Sequence, residues 1–206
     1  GTEQTGTHLG FLIADVSGKG VPAALFMMTA KTLIKDHALR GESPATIFSA
    51  VNRQLCDGND ENMFVTAFMG VVELATGKLT FANAGHNPPV LCRSNGESRW
   101  MNERPGLVLA CMDGVKYADY ELQLEKGDRL FLYTDGVTEA MNPQEQLFGE
   151  TRLMEVLTQG DNRTLPAMQL LPAVRAAVSA FADGAEQADD ITMLAVDWLG
   201  RGGRHI

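Results

Sequence analysis

The sequence predicts an α+β fold, mainly antiparallel strands with helices packed outside them, and three observations carry that expectation. Two long stretches have helical spacing, residues 22–57 and 150–182, and they stand apart from the runs with strand character. Residues 63–84 are rich in β-formers on both sides of Thr76-Gly77, which reads as a hairpin. Further short apolar or alternating runs, at 9–15, 90–93, 120–124, 129–133 and 191–198, are bounded by Gly, Pro, Asn or Asp. The chain shows no internal repeat, low-complexity segment or break in composition. One domain over 9–199 is therefore expected. The polar residues 1–8 read as an edge or the remains of a linker, and 200–206 as a tail.

The first strand, Leu9 to Asp15, ends its apolar run Phe11 to Ala14 on an acid. Ser17-Gly18-Lys19-Gly20 is a turn, and Pro22 opens a helix that runs to about Arg40 and stops at Gly41. Leu25, Met28, Thr32, Leu33 and Ile34 give that helix its expected apolar face, with Met27 and Met28 as core filling. Ser43 and Pro44 read as N-cap and first turn of a second helix. Ile47, Phe48, Val51 and Leu55 recur along it before the turn cluster Asp57-Gly58-Asn59-Asp60. After the hairpin, Asn83 to Pro89 interrupts the strands. Val90 to Arg93 resumes, and Ser94 to Glu97 turns. Tyr120, Leu122 and Leu124 alternate with Glu121 and Gln123 as a half-exposed strand. Glu125 to Asp128 turns into Arg129 to Tyr133, which drives toward Asp135. Two helical stretches follow, Glu150 to Leu157 and Thr164 to Ala182, the second divided by Pro172. Ile191 to Trp198 reads as a buried strand leaving directly from Asp189-Asp190.

The 206 residues suffice for one sizeable core, and 45% hydrophobic with 21% charged residues describes an ordinary soluble domain. A formal net charge of −9 argues against a nucleic-acid partner, because phosphate binding wants a basic patch. Cys56, Cys92 and Cys111 have no C-x-x-C spacing, so neither a disulfide framework nor a zinc site is suggested, and a cytoplasmic location is the default. No run approaches 18 apolar residues, so no signal peptide or membrane span is expected.

Three acidic corners carry the chemistry. Asp15 ends one apolar strand, Asp135 ends another in Y-T-D-G-V-T-E, and Asp189-Asp190 begins a third in D-D-I-T. In antiparallel sheets the end of one strand lies beside the start of the next, so these acids are expected at one rim. Unpaired carboxylates that close repel one another unless a cation sits among them, and all-oxygen ligation points to magnesium or manganese. Each acid also has a plainer reading: Asp15 as a turn or capping residue, Asp135-Gly136 as a common turn, Asp189 as a loop cap.

Four motifs together, D-V-S-G-K-G at 15–20, N-A-G-H-N-P-P at 83–89, G-D-R-L-F-L-Y-T-D-G-V-T-E at 127–139 and D-D-I-T at 189–192, resemble one family in order and spacing. It is the SpoIIE-like bacterial branch of the PPM, or protein phosphatase 2C-like, metal-dependent serine/threonine phosphatases. The likeness runs from Leu9 to Trp198. It implies a four-layer α-β-β-α sandwich of two mainly antiparallel sheets flanked by helices. It implies two Mg2+ or Mn2+ ions, bridged by Asp15, with the Val16 carbonyl on one ion and Asp135 and Asp189 on the other. Asp190, Gly18, Gly20 and Gly136 are supporting positions by the same likeness, and Thr138, Glu139 and Thr192 structural ones. The family's earlier Gly-Gly-Asp motif has no counterpart in Gly1 to His8, and Ser17 stands where the eukaryotic branch has a His, so no general acid is assigned.

The resemblance further implies hydrolysis of phosphoserine or phosphothreonine on an anti-sigma-factor antagonist in a partner-switching pathway, through metal-activated water. An upstream sensor or receiver domain in the parent chain would act through helices one and two, and a homodimer stays open. The alternative is a catalytically degenerate module that binds a regulatory partner. A P-loop reading of Gly18-Lys19-Gly20 fails on spacing, since no Gly stands five residues before Gly18. Lys19 reads as a solvated turn residue or a substrate contact. His86 reads as a loop residue fixing its own turn rather than a catalyst. His8, His37 and His205 carry no argument, and Trp100 and Trp198 read as core or sheet-face residues.

Overall fold

The computed structural model describes residues 2–5, 7–187 and 189–200. The chain divides into two compact units that exchange segments, residues 1–86 with 102–124 and residues 87–101 with 125–206. The chain crosses between the units at loops, without a linker or a break in composition. Each unit is built on one wholly antiparallel sheet with its own helices, which is the α+β class expected.

The first unit has the sheet order β1-β2-β3-β4-β7, with β1 Thr2–Thr5, β2 His8–Val16, β3 Val65–Glu73, β4 Lys78–Ala84 and β7 Tyr120–Gln123. Residues 1–8, expected as an edge or linker, instead supply β1, which pairs with β2 in register Thr2↔Phe11 to Thr5↔His8. A strand of polar residues leaves no hydrophobic period to read. Helices α1 Val21–Leu39 and α2 Pro44–Cys56 cover one sheet face. Ile34, Ile47, Phe48, Val51 and Leu55 pack there against Val65, Ala67, Met69, Ala82 and Ala84. The cap reading of α2 holds, as Ser43 Oγ accepts from the Thr46 N–H. The expected face of α1 holds in part: Ile34 is buried with Ala23, Ala30 and His37, and Leu33 and Met27 pack against the core, while Leu25 and Met28 are 61% and 65% exposed. Apolar residues lie nearly all round this helix, so periodicity could not choose the inner side.

The second unit has the order β6-β5-β8-β9, with β5 Val90–Cys92, β6 Ser98–Trp100, β8 Arg129–Tyr133 and β9 Met193–Asp197. Its helices are α3 Asp135–Thr138, α4 Gly149–Thr158 and α5 Ala167–Ala182, with a 3₁₀ turn at Gly160–Arg163. The core gathers Phe131, Tyr133, Val137, Phe148, Leu153, Leu157, Leu170, Val174 and Val178. Pro172 was expected to divide the last helix, yet α5 runs through it. An interior proline costs about 3 kcal/mol. Leu170, Val174 and Val178, all at most 2% exposed and spaced by four, each offset about 1.5–3 kcal/mol by burial. The strand after Asp190 is also corrected: β9 starts at Met193 and is half-exposed throughout, because it is an edge strand with β8 as its one neighbour. Trp100 packs edge-on to Tyr133 at 5.9 Å.

Among the described residues no helix is long and apolar enough to cross a membrane. The expected tail lies outside the described residues from position 201 onward, as does His205.

Candidate metal centre

In the first unit Asp15 is the penultimate residue of β2, half-buried opposite Thr66. Its Oδ1 accepts the Val16 N–H at 2.9 Å, a local bond that orients the carboxylate along its own strand end. The following turn is locked to β3's start: the Ser17 N–H donates to the Phe64 carbonyl at 2.9 Å, and Ser17 Oγ accepts the Phe64 N–H at 2.8 Å. Gly18 and Gly20 have φ of +84° and +85°, and a Cβ at either would meet nothing within 4 Å. Left-handed backbone, rather than crowding, demands glycine here. Gly20 then serves as N-cap of α1, and Lys19 is exposed.

His86 is 4% exposed in the same unit. Its turn is fixed by Asn83, whose side chain accepts the His86 N–H at 2.8 Å and donates to the His86 carbonyl at 2.9 Å. The imidazole itself bonds Thr66 Oγ1 through Nδ1 at 2.8 Å. So Asn83 does the work expected of His86, and the ring reaches the residue paired with Asp15. A cleft of about 480 Å³ in this unit, lined by Leu39, Pro44, Met69, Val71 and Glu73 among others, holds none of the motif residues.

In the second unit β8 stops at Tyr133, and Asp135 is the first residue of α3 rather than the strand's end. Thr134 occupies the N-cap position, yet its hydroxyl does not cap. Instead Thr134 Oγ1 donates to the Asp190 carbonyl and accepts the Thr192 N–H, both at 3.0 Å, while the Thr134 N–H donates to the Thr192 carbonyl at 3.0 Å. Gly136 completes the clamp. A Cβ there would lie 2.4 Å from the Asp190 carbonyl oxygen and 3.0 Å from that of Asp189. Asp135 and the Asp189-Asp190 corner are therefore brought together backbone to backbone. Asp189 Oδ1 accepts the Asp190 N–H at 2.8 Å, and Gln187 Nε2 donates to the Asp189 carbonyl at 2.8 Å. Thr138 Oγ1 and the Glu139 N–H both donate to the Asp135 carbonyl, at 3.2 and 2.8 Å.

The side chain of Asp135 is the exception in this satisfied corner. Its Oδ1 is buried and has no hydrogen-bond partner among the described residues. A buried carboxylate oxygen left unpaired is costly unless something supplies positive charge or a proton. A carboxylate oxygen, with the backbone carbonyls of Asp189 and Asp190 packed against the neighbouring Gly136, is the kind of donor that suits a hard divalent cation such as magnesium or manganese. Among the described residues no three or more His, Cys, Asp or Glu side chains gather where they could together hold a metal ion, so the expected convergence of the acids at one rim is seen only as the backbone contact of Asp135 with Asp189-Asp190. Sequence reading missed Thr134 and Thr66. Thr134 was findable, as a threonine before Asp-Gly at a strand end is a natural N-cap; Thr66 carries no local signal, since its role comes from register.

The family described as Stage II sporulation protein E (SpoIIE) matches residues 5–199. Protein IcfG of Synechocystis sp. is 30% identical over 217 residues, covering 92% of this chain and 33% of IcfG. Phosphoserine phosphatase RsbU of Bacillus subtilis is 35% identical over 127 residues, 62% of this chain and 38% of RsbU. The chain thus spans little more than a third of the length of these two relatives. Among solved structures, the SiaA-PP2C domain of Pseudomonas aeruginosa superposes with a TM-score of 0.82 at 23% identity, covering 96% of this chain and 78% of that one. The catalytic domain of serine threonine protein phosphatase PstP in complex with 2 manganese ions superposes at 0.64 with 14% identity, covering 96% and 90%. On the match across almost its whole length, this chain belongs to the SpoIIE family, the SpoIIE-like branch of the metal-dependent PPM phosphatases.

Proposed function

We propose that this chain hydrolyses phosphoserine or phosphothreonine on a small regulatory protein of the anti-sigma-factor-antagonist type, with Asp15, the Val16 carbonyl, Asp135 and Asp189 as ligands for two Mg2+ or Mn2+ ions. The observation that carries the reading is the buried Asp135 Oδ1, unpartnered among the described residues, in a corner otherwise satisfied bond by bond. Family membership supports the reaction class, and RsbU, a phosphoserine phosphatase by name, supports the substrate class. When bound, a divalent pair lowers the pKa of its coordinated water and offsets phosphate charge. The chain's own contribution is placement. Thr134 and Gly136 fix the Asp135 backbone against Asp189-Asp190, the Val16 N–H aims the Asp15 carboxylate, and Ser17 ties its turn to Phe64. A cysteine nucleophile is disfavoured, because burial raises the pKa of both Cys56 and Cys92 and keeps them as thiols. Asp190 takes a supporting position, its backbone carbonyl accepting from Thr134 Oγ1.

The same proposal places the protein in the cytoplasm, under control of a sensor or receiver domain acting through α1 and α2. The test is release of phosphate from such a phosphoprotein in the presence of Mn2+. Asp135→Ala is expected to lower kcat/KM by at least roughly 100-fold. Equal turnover by wild type and Asp135→Ala contradicts the ligand assignment. Failure of the wild type to bind Mn2+ favours the non-catalytic regulatory module instead.

A further inference from the structure

The far end of α2 carries a second chemistry, independent of the phosphatase reading. Asn52, 1% exposed, accepts the Ala110 N–H at 2.9 Å and donates to the Met112 carbonyl at 2.8 Å. It therefore grips the backbone on both sides of Cys111. Asn59, just past the helix, donates to the Ala110 carbonyl at 3.2 Å. Between these two anchors lies Cys56, the last residue of α2 and one turn beyond Asn52 on the same face. Tyr117 closes the cluster, its hydroxyl donating to Asn52 Oδ1 at 3.4 Å. Ala110 is held at a φ of +68°, so the segment carrying Cys111 is bent against its preference to lie here. Cys111 is exposed and Cys56 half-exposed, so both are open to small oxidants. Burial, then the Asp113 carboxylate and then Cys111 push the Cys56 thiol up, and burial, Cys56 and Cys111 do the same to the Tyr117 hydroxyl.

We propose that Cys56 and Cys111 form a reversible intramolecular disulfide when the protein meets a hydroperoxide. The exposed Cys111 thiolate attacks the peroxide oxygen; the O–O bond breaks, an S–O bond forms, and hydroxide leaves as water once protonated. The Cys56 thiol then attacks Cys111 Sγ as its proton passes to the departing hydroxide; the S–S bond forms, the S–O bond breaks, and a second water leaves. Two thiols lose two electrons and two protons, and hydrogen peroxide is reduced to two waters. The bond would bolt the end of α2 to a segment whose Leu109 exchanges both backbone hydrogen bonds with Val65, at 3.0 and 2.8 Å. Val65 pairs in register with Val16, so the constraint reaches the strand beside the Asp15 turn.

The folded 206-residue chain is treated with hydrogen peroxide, alkylated, digested without reductant and read by mass spectrometry. The expected product is one Cys56–Cys111 peptide pair, lighter by two hydrogens and released by dithiothreitol. It persists in Cys92→Ser and is absent from Cys56→Ser and Cys111→Ser. Oxidised wild type melts roughly 5 °C higher than reduced, and the serine variants at positions 56 and 111 show no such shift. The proposal fails if Cys111 is recovered as sulfinic acid or an intermolecular disulfide with Cys56 still alkylated. It fails equally if the same pair forms as abundantly in urea as in the folded protein.

Discussion

The two ends of β8 hold one acid each, and their surroundings are opposite. Asp128, before the strand, has a fully buried side chain, yet every need is met: Arg93 Nη1 donates at 2.6 Å, and the Ser94 and Glu125 N–H groups donate at 3.0 and 2.8 Å. Asp135, beyond the other end, keeps a buried oxygen with no such donor among the described residues. Both acids sit in one motif, G-D-R-L-F-L-Y-T-D-G, and either could have been the functional one. The difference shows which is architectural and which is held ready for something outside the chain. A fold spends donors on the acid it uses as a strut and withholds them from the one that must bind.

The sharpest way to break this comparison is to remove the strut. Asp128→Ala strands a half-buried guanidinium and two backbone N–H groups, and unfolding in urea should show a loss of about 4 kcal/mol with metal binding of the folded fraction retained. A loss under 1 kcal/mol would mean that the two acids differ less than the contacts suggest. Next comes Gly136→Ala. Its Cβ would stand 2.4 Å from a backbone oxygen that no rotamer can move aside, so about 3 kcal/mol is expected, together with weaker Mn2+ binding as the corner splays. Thr134→Val keeps the shape but abandons the Asp190 carbonyl and the Thr192 N–H, for about 2 kcal/mol by thermal melting. The smallest effect should come from Gly18→Ala, where space is free and the left-handed φ alone objects, at about 1 kcal/mol. If Gly18→Ala proved worse than Gly136→Ala, the contrast between conformational and steric glycines would be wrong.

Much of this was legible in the residues, and what was not has a common cause. The hairpin around Thr76-Gly77 and the Ser43-Pro44 helix start are written in local chemistry, and the structure follows them. The passage of α5 through Pro172 and the outward side of α1 are decided by packing partners that no local window shows, and the strand at Thr2–Thr5 by its backbone pairing with β2. The site divides the same way. Asp135 and Asp189-Asp190 stand out as acids at strand ends, but a propensity scale cannot show that Gly136 lies against the Asp190 carbonyl, or that Thr134 spends its hydroxyl on the 190–192 backbone. Nor does sequence distinguish Asp128 from Asp135, because two of the three donors to Asp128 come from Arg93 and Ser94, just past β5 and more than 30 residues away.

Calorimetric titration of the chain with Mn2+, wild type beside Asp135→Asn, tests the central claim most directly. Asparagine keeps the size and removes the charge, so the two proteins should melt alike. The account predicts saturable binding by the wild type and at least a tenfold weaker association in the variant. Equal affinity in the two proteins, with folding intact, would show that the Asp135 oxygen is not held for a cation.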